Sequence, residues 1–311
     1  MRDGGEATVD TDGIHRFGGE EGWEEAFQFG LHDSGNDLSG FMRVGLVPNL
    51  HRKNVFCLLL LPDGGAVGMR REVHFDSTEL SAGGLVFQSI IPEERWKLMF
   101  NGTMPDMTGR RGSRKRTSLL LDFEAGGPVF DHRECGSSFH HVLSEGSYEQ
   151  VEQLGTISGS VEVAGTDYQV QAVGAKSHSW GVRSPSADME RTWISALLTD
   201  GTGFSLTAVR VGEEEVMSGF LLTEGENHPM TDGLMVTRIG DSGEPLGFEV
   251  VMNHAEGSEE AKGEVMRSVA MELSHPETVS RVFHSVSKFS MSERSGFGLG
   301  EYLVARSGAN R

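Results

Sequence analysis

Two glutamates occupy positions where the surrounding pattern calls for apolar side chains. Glu25 lies in the run Trp23-Glu24-Glu25-Ala26-Phe27-Gln28-Phe29-Gly30-Leu31, whose odd positions are otherwise Trp23, Phe27, Phe29 and Leu31. Alternation with period two marks a strand, and it sets the Glu25 carboxyl on the apolar face. Glu301 repeats the arrangement among Phe297, Leu299 and Leu303. Such a carboxyl must be paired, protonated or exposed to a polar cavity, because burying it charged and alone costs on the order of several kcal/mol. For Glu25 two readings stand. One is a structural ion pair with Arg43, which shares odd parity with Phe41 and Val47 on the next strand. The other is an acid kept protonated in a dry pocket, able to protonate a carbon–carbon double bond. For Glu301 the structural reading is a carboxylate at a sheet edge or barrel mouth. If Glu25, Arg43 and Glu301 converge, two carboxyls with pKa values driven apart form an acid–base set.

His178 and Trp180 project to one face of Ser177-His178-Ser179-Trp180, and the two serines to the other. A histidine there can relay a proton near neutral pH, and the indole can line an apolar ligand or face a carbocation. A packed Trp180 with His178 in a fixing hydrogen bond accounts for the pattern equally. Other arrangements are weaker. His140 and His141 are adjacent, so on a strand they point apart and cannot easily share one ion. Ser177-His178 lacks a nucleophile elbow, and Gly298-Leu299-Gly300 lacks the third glycine of a dinucleotide fingerprint.

The elements that must position these side chains read as strands nearly throughout. Val55–Leu61 turns at Pro62-Asp63-Gly64-Gly65 into Val67–Phe75, and Leu85–Ile91 returns through Trp96–Thr103, where Trp96 is assigned to core packing. Hairpins fold at Ala164-Gly165-Thr166-Asp167 and at Thr199-Asp200-Gly201-Thr202. Strand after strand with short turns implies antiparallel barrels or sandwiches. A chain of 311 residues suggests two units. The division falls at 183–191, giving domains at 15–183 and 191–311 behind a flexible 1–14.

The charge balance, 27 basic against 46 acidic residues and a net −19, disfavours nucleic acid and anionic membranes as partners. The basic run from Arg110 to Arg116 is read as a solvated loop. Cys57 and Cys135 stand apart without a ligand cluster, against a disulfide scaffold or a structural zinc site. No leader or membrane-spanning run is visible, so the expected setting is the cytoplasm.

The segments Trp23–Phe27, Gly40–Asn49, Glu94-Arg95-Trp96, Tyr148-Glu149-Gln150, Ser177–Arg183 and Gly298–Tyr302 together resemble the carotenoid 1,2-hydratase and AttH-like superfamily, in order and over nearly the whole chain. The resemblance implies two lipocalin-like β-domains with a ligand cavity and no metal or organic cofactor. It brings His178, Trp180 and Trp193 near the ligand and marks Trp23, Arg43, Asn49 and Tyr302 as candidate substrate contacts. The central motif of the superfamily begins with Asp, the acid of the hydratases, and Ser177 replaces it here. A serine hydroxyl cannot do that work. The implied function is a cofactor-independent enzyme hydrating, isomerising or cyclising an isoprenoid-, steroid- or polyketide-like molecule, with Glu25, His178 and Glu301 as candidate catalytic residues. The alternative is a non-catalytic carrier of a hydrophobic ligand.

Overall fold

The alternation becomes strand across most of the computed structural model, which describes residues 11–110, 112–135, 148–182, 189–274 and 278–307. The first sheet contains β1 (Trp23–Asp33), β2 (Leu38–Val47), β3 (Arg52–Leu60), β4 (Ala66–His74), β5 (Ser81–Ala82), β6 (Leu85–Ile91), β7 (Arg95–Pro105), β8 (Arg114–Ala125), β9 (Phe130–Asp131), β10 (Tyr148–Val163) and β11 (Thr166–Val182). Its order is β4-β3-β2-β1-β11-β10-β8-β7-β6-β5, with β9 paired to β10. A bridge between Val67 and Asp106 brings β4 to the end of β7 and curls the sheet towards closure. The strands β12 (Met189–Leu198), β13 (Gly203–Val211), β14 (Glu214–Thr223), β15 (Glu226–Ile239), β16 (Pro245–His254), β17 (Gly257–Ser274), β18 (Thr278–Met291) and β19 (Arg294–Ser307) form a closed antiparallel barrel. The expected all-β architecture of two lipocalin-like units is present.

The predicted turns join the predicted strands. Asp200 shapes one of them, its carboxylate accepting from the Thr202 amide at 3.0 Å. Arg114 and Arg116 of the basic run belong to β8 and are exposed, while His140 and His141 lie outside the described residues.

Aromatic and aliphatic side chains pack in both interiors. Phe27, Phe29, Trp96, Phe123 and Cys57 pack inside the first sheet, and Phe204, Phe248 and Phe289 inside the barrel. A third cluster joins the units, with Phe41, Leu58 and Leu60 of the first sheet against Trp193, Phe220 and Leu299 of the barrel. Burying each such side chain is worth about 1.5–3 kcal/mol. Gly30 permits the approach of β1 to β19, since a Cβ there would lie 2.5 Å from Leu299 Cδ1. Arg267 adds a clasp, pairing with Asp37 at 3.1 Å and donating to the carbonyls of Leu61 and Asp37.

Candidate active site

Strand β1 separates two polar centres, because its alternate side chains enter different surroundings. Glu25, Phe27, Phe29 and Leu31 point into the first sheet's interior and are fully buried. Gln28 points instead to the junction with the barrel, where it donates to Glu301 at 2.8 Å.

The inner centre is built on Glu25. His178 Nε2 stands 2.8 Å from Glu25 Oε1 and His15 Nδ1 stands 2.9 Å from the same oxygen. The His15 amide also donates to the carboxylate, at 3.0 and 3.1 Å to its two oxygens. Register delivers two of the partners: β1 pairs with β11 so that Glu25 faces Trp180 and Phe27 faces His178. The His178 ring stacks on Phe27 at 3.7 Å, and His15 stacks on Trp180 at 3.8 Å. Burial alone would raise the Glu25 pKa, but the hydrogen bonds from His15 and His178 outweigh it and hold the carboxyl below its ordinary value. His178 Nδ1 lies 2.9 Å from the Thr11 carbonyl, which can only accept, as can the ionised Glu25.

Residues 11–18 run across this centre as a strap. Asp12 pairs with the buried Lys176 and accepts from Trp96 Nε1 at 3.1 Å and from the Glu93 amide at 2.6 Å. Asn49 secures the strap by donating to the carbonyls of Gly18 at 2.9 Å and Glu20 at 2.7 Å.

The second centre lies at the junction. Glu301 is flanked in register by Trp193 on β12 and His284 on β18. His284 Nδ1 is 3.2 Å from Glu301 Oε1. The His284 ring is stacked on Phe56 at 4.8 Å and tilted against Phe41 at 4.9 Å. Burial pushes the Glu301 pKa up, but His284, Arg191 and Arg43 more than offset it, so this carboxyl also sits below its ordinary value.

Sequence reasoning missed a third carboxylate there. Glu152 on β10 accepts from Ser205 at 2.6 Å, takes a hydrogen bond from Gln150, and lies 3.4 Å from His132 Nε2. Arg191 donates to Gln150 at 3.2 Å, linking this group towards Glu301. Burial opposes the Glu152 charge, and His132, Ser205 and Arg191 overcome it. Glu152 faces Ser177 across the β10–β11 pair. A carboxylate is thus supplied next to Ser177 from the neighbouring strand, a signal visible only once that register is known.

The structure corrects several assignments. Glu25 and Glu301 do not converge, since opposite faces of β1 separate them. Arg43 pairs not with Glu25 but with Glu24, at 2.9 Å. The reason is register: β1 and β2 align Gln28 with Arg43 and Glu25 with Leu46, so odd residues of one strand share a face with even residues of the other. Asn49 holds backbone rather than facing either centre. Tyr302 sits on the opposite side of β19 from Glu301, its ring 6.3 Å from Phe283. Trp23 lies against the strap, where a Cβ on Gly18 would meet its ring at 3.0 Å. Trp180 joins the inner centre and Trp193 the junction.

Fold and sites together define a protein of paired lipocalin-like β-units with ionised carboxylates inside the first unit and between the two. More particularly, the chain belongs to the family described as a domain of unknown function, DUF7064, whose model matches residues 8–306. Among solved structures it is similar to an AttH-like protein of Nitrosomonas europaea, with TM-score 0.68 and 13% identity, covering 97% of this chain and 98% of that one. It is similar to kievitone hydratase from Nectria haematococca, with TM-score 0.60 and 11% identity over 91% and 89% of the two chains. It is also similar to CghA, crystallised with Sch210972, at TM-score 0.56 and 12% identity over 93% and 90%. At these identities the likeness establishes the fold. Comparison with curated proteins finds no match.

Proposed function

We propose that the protein is an enzyme of proton transfer acting on an apolar small molecule at the junction between its two units, which we divide between β11 and β12. The observation that carries this is the Glu301–His284 pair among Phe41, Phe56 and Trp193, with the Glu301 side chain still 21% exposed. A carboxylate held below its ordinary pKa is a base and an electrostatic anchor, not an acid for an isolated alkene. The arrangement therefore suits a double bond activated by a carbonyl or phenol. Glu301 or His284 removes a proton beside the carbonyl, negative charge moves onto its oxygen, and Arg43 and Arg191 stabilise that oxyanion. Returning the proton at another carbon isomerises the substrate; adding water or an internal carbon nucleophile to the activated bond hydrates or cyclises it. The fold shared with kievitone hydratase and CghA supports this class, and Glu152, which faces Ser177 across the β10–β11 pair, adds a further carboxylate at the junction.

Incubation with a panel of apolar enones and alkenyl phenols in D2O, followed by mass spectrometry, tests the reading. Deuterium incorporation or product formation is expected, falling roughly 10²–10⁴-fold in Glu301→Gln. Turnover equal to wild type in Glu301→Gln, or a stoichiometric unaltered lipid extracted from a protein inert towards the panel, would overturn it.

A further inference from the structure

We infer that His15, Glu25 and His178 form a binding site for a divalent transition-metal ion, of which zinc has the best-matched chemistry. Nothing in the sequence pattern announces it, because the ligands come from three places: the strap, β1 and β11. Their donor atoms, His15 Nδ1, a Glu25 oxygen and His178 Nε2, all lie within 4.8 Å of one another. Two imidazoles and a carboxylate are a donor set that zinc accepts, with a fourth position left for water.

The surroundings hold the donors as a metal site requires. His178 gives its other nitrogen to the Thr11 carbonyl at 2.9 Å, the outer contact that fixes a ligating histidine and aims its remaining nitrogen inward. Phe27 stacks on one face of His178, and Trp180 stacks on His15, so both rings are held against rotation. Glu25 is oriented by the His15 amide at 3.0 Å. The Lys176 ammonium, on the same face of β11, is already matched by Asp12.

The geometry needs only a small adjustment. Donors about 2.0–2.1 Å from a tetrahedral zinc stand about 3.4 Å apart. The two ring nitrogens are now 2.8 and 2.9 Å from Glu25 Oε1, so the cluster opens by about half an ångström. His15 is carried by the strap, not by the sheet, and its side chain is 20% exposed, which provides both the compliance and a path for the ion. A second group, His228, His254 and Glu256, also has ligand spacing, but the Glu256 side chain is 72% exposed and it lacks comparable enclosure.

The full-length chain, stripped with a chelator and verified as folded by circular dichroism, is titrated with Zn²⁺ by calorimetry and with Co²⁺ by visible absorption. One equivalent is expected to bind, with the intense d–d bands of a low-coordinate Co²⁺ site. His15→Ala leaves the sheet intact and is expected to weaken binding by roughly 100-fold, as is Glu25→Gln, whereas His228→Ala binds as wild type. Absence of saturable uptake by the folded wild-type chain would overturn the proposal. So would uptake that survives in His15→Ala, or that disappears in His228→Ala.

Discussion

Glu25 and Glu301 are near twins as sequence, each an acid alternating with aromatic and aliphatic residues, and the fold uses them differently. Glu25 is completely buried, bridged by two histidines and covered by the strap. Glu301 faces a second unit, keeps partial exposure, and is held by an amide, an imidazole and two guanidinium groups that act at longer range. An acid on an apolar face thus marks a polar centre without saying whether substrate can reach it. Access is decided by what packs on that face: for Glu25 the strap, for Glu301 the first sheet, which leaves its side chain 21% exposed.

The sharpest way to break the comparison is to delete each carboxylate. Glu25→Ala strands the buried His178 beside an empty site and is expected to destabilise the protein by about 3–5 kcal/mol. Glu301→Ala removes a side chain that is itself 21% exposed and is expected to cost about 1 kcal/mol. Urea unfolding of the two variants measures the difference. Equal losses would mean that the junction centre is as structural as the inner one.

Much of this was legible from residue types and spacing. Strand alternation located both glutamates, His178 and Trp180, and the Asp-Gly and Gly-Gly turns divided the strands. Face sharing between strands was not legible, because it depends on register. Thr11, Asp12 and His15 carried no signal, since an irregular segment has no period to betray what it covers. Glu152 was hidden for a related reason: it lies on a strand, but its partners His132, Ser205 and Ser177 are brought to it only by chain pairing.

A second contrast concerns pH. His32, at the junction end of β1, is 2% exposed, bonded to Ser39 at 2.9 Å and packed 4.9 Å from the Phe297 ring. Burial depresses its pKa to about 4 from an ordinary 6.5. Between these values the unfolded chain takes up a proton that the folded chain refuses. Stability therefore falls as pH drops from 6.5 to 4, by about 3 kcal/mol. Glu152 and Glu301, whose pKa values are lowered from 4.5, contribute stability in full above that value and lose it as pH falls through their folded values. Two acid limbs are expected in stability measured against pH, and His32→Gln should flatten the upper one alone. An unchanged upper limb would remove His32 as its source.

The smallest expected effect separates the strap from the sheet that it covers. Asn49 ties the strap to the chain after β2 through two hydrogen bonds to backbone carbonyls, in a partly exposed position. Asn49→Ala should cost about 1 kcal/mol. Because the side chain faces neither carboxylate centre, the loss should be local, appearing as faster amide hydrogen exchange over residues 11–18 while β1 and β11 keep their protection. The same variant should leave KM at the junction unchanged. If exchange accelerated equally in β11, the strap and the sheet would open as one unit, and the inner centre would owe its burial to the whole fold and not to a separable cover.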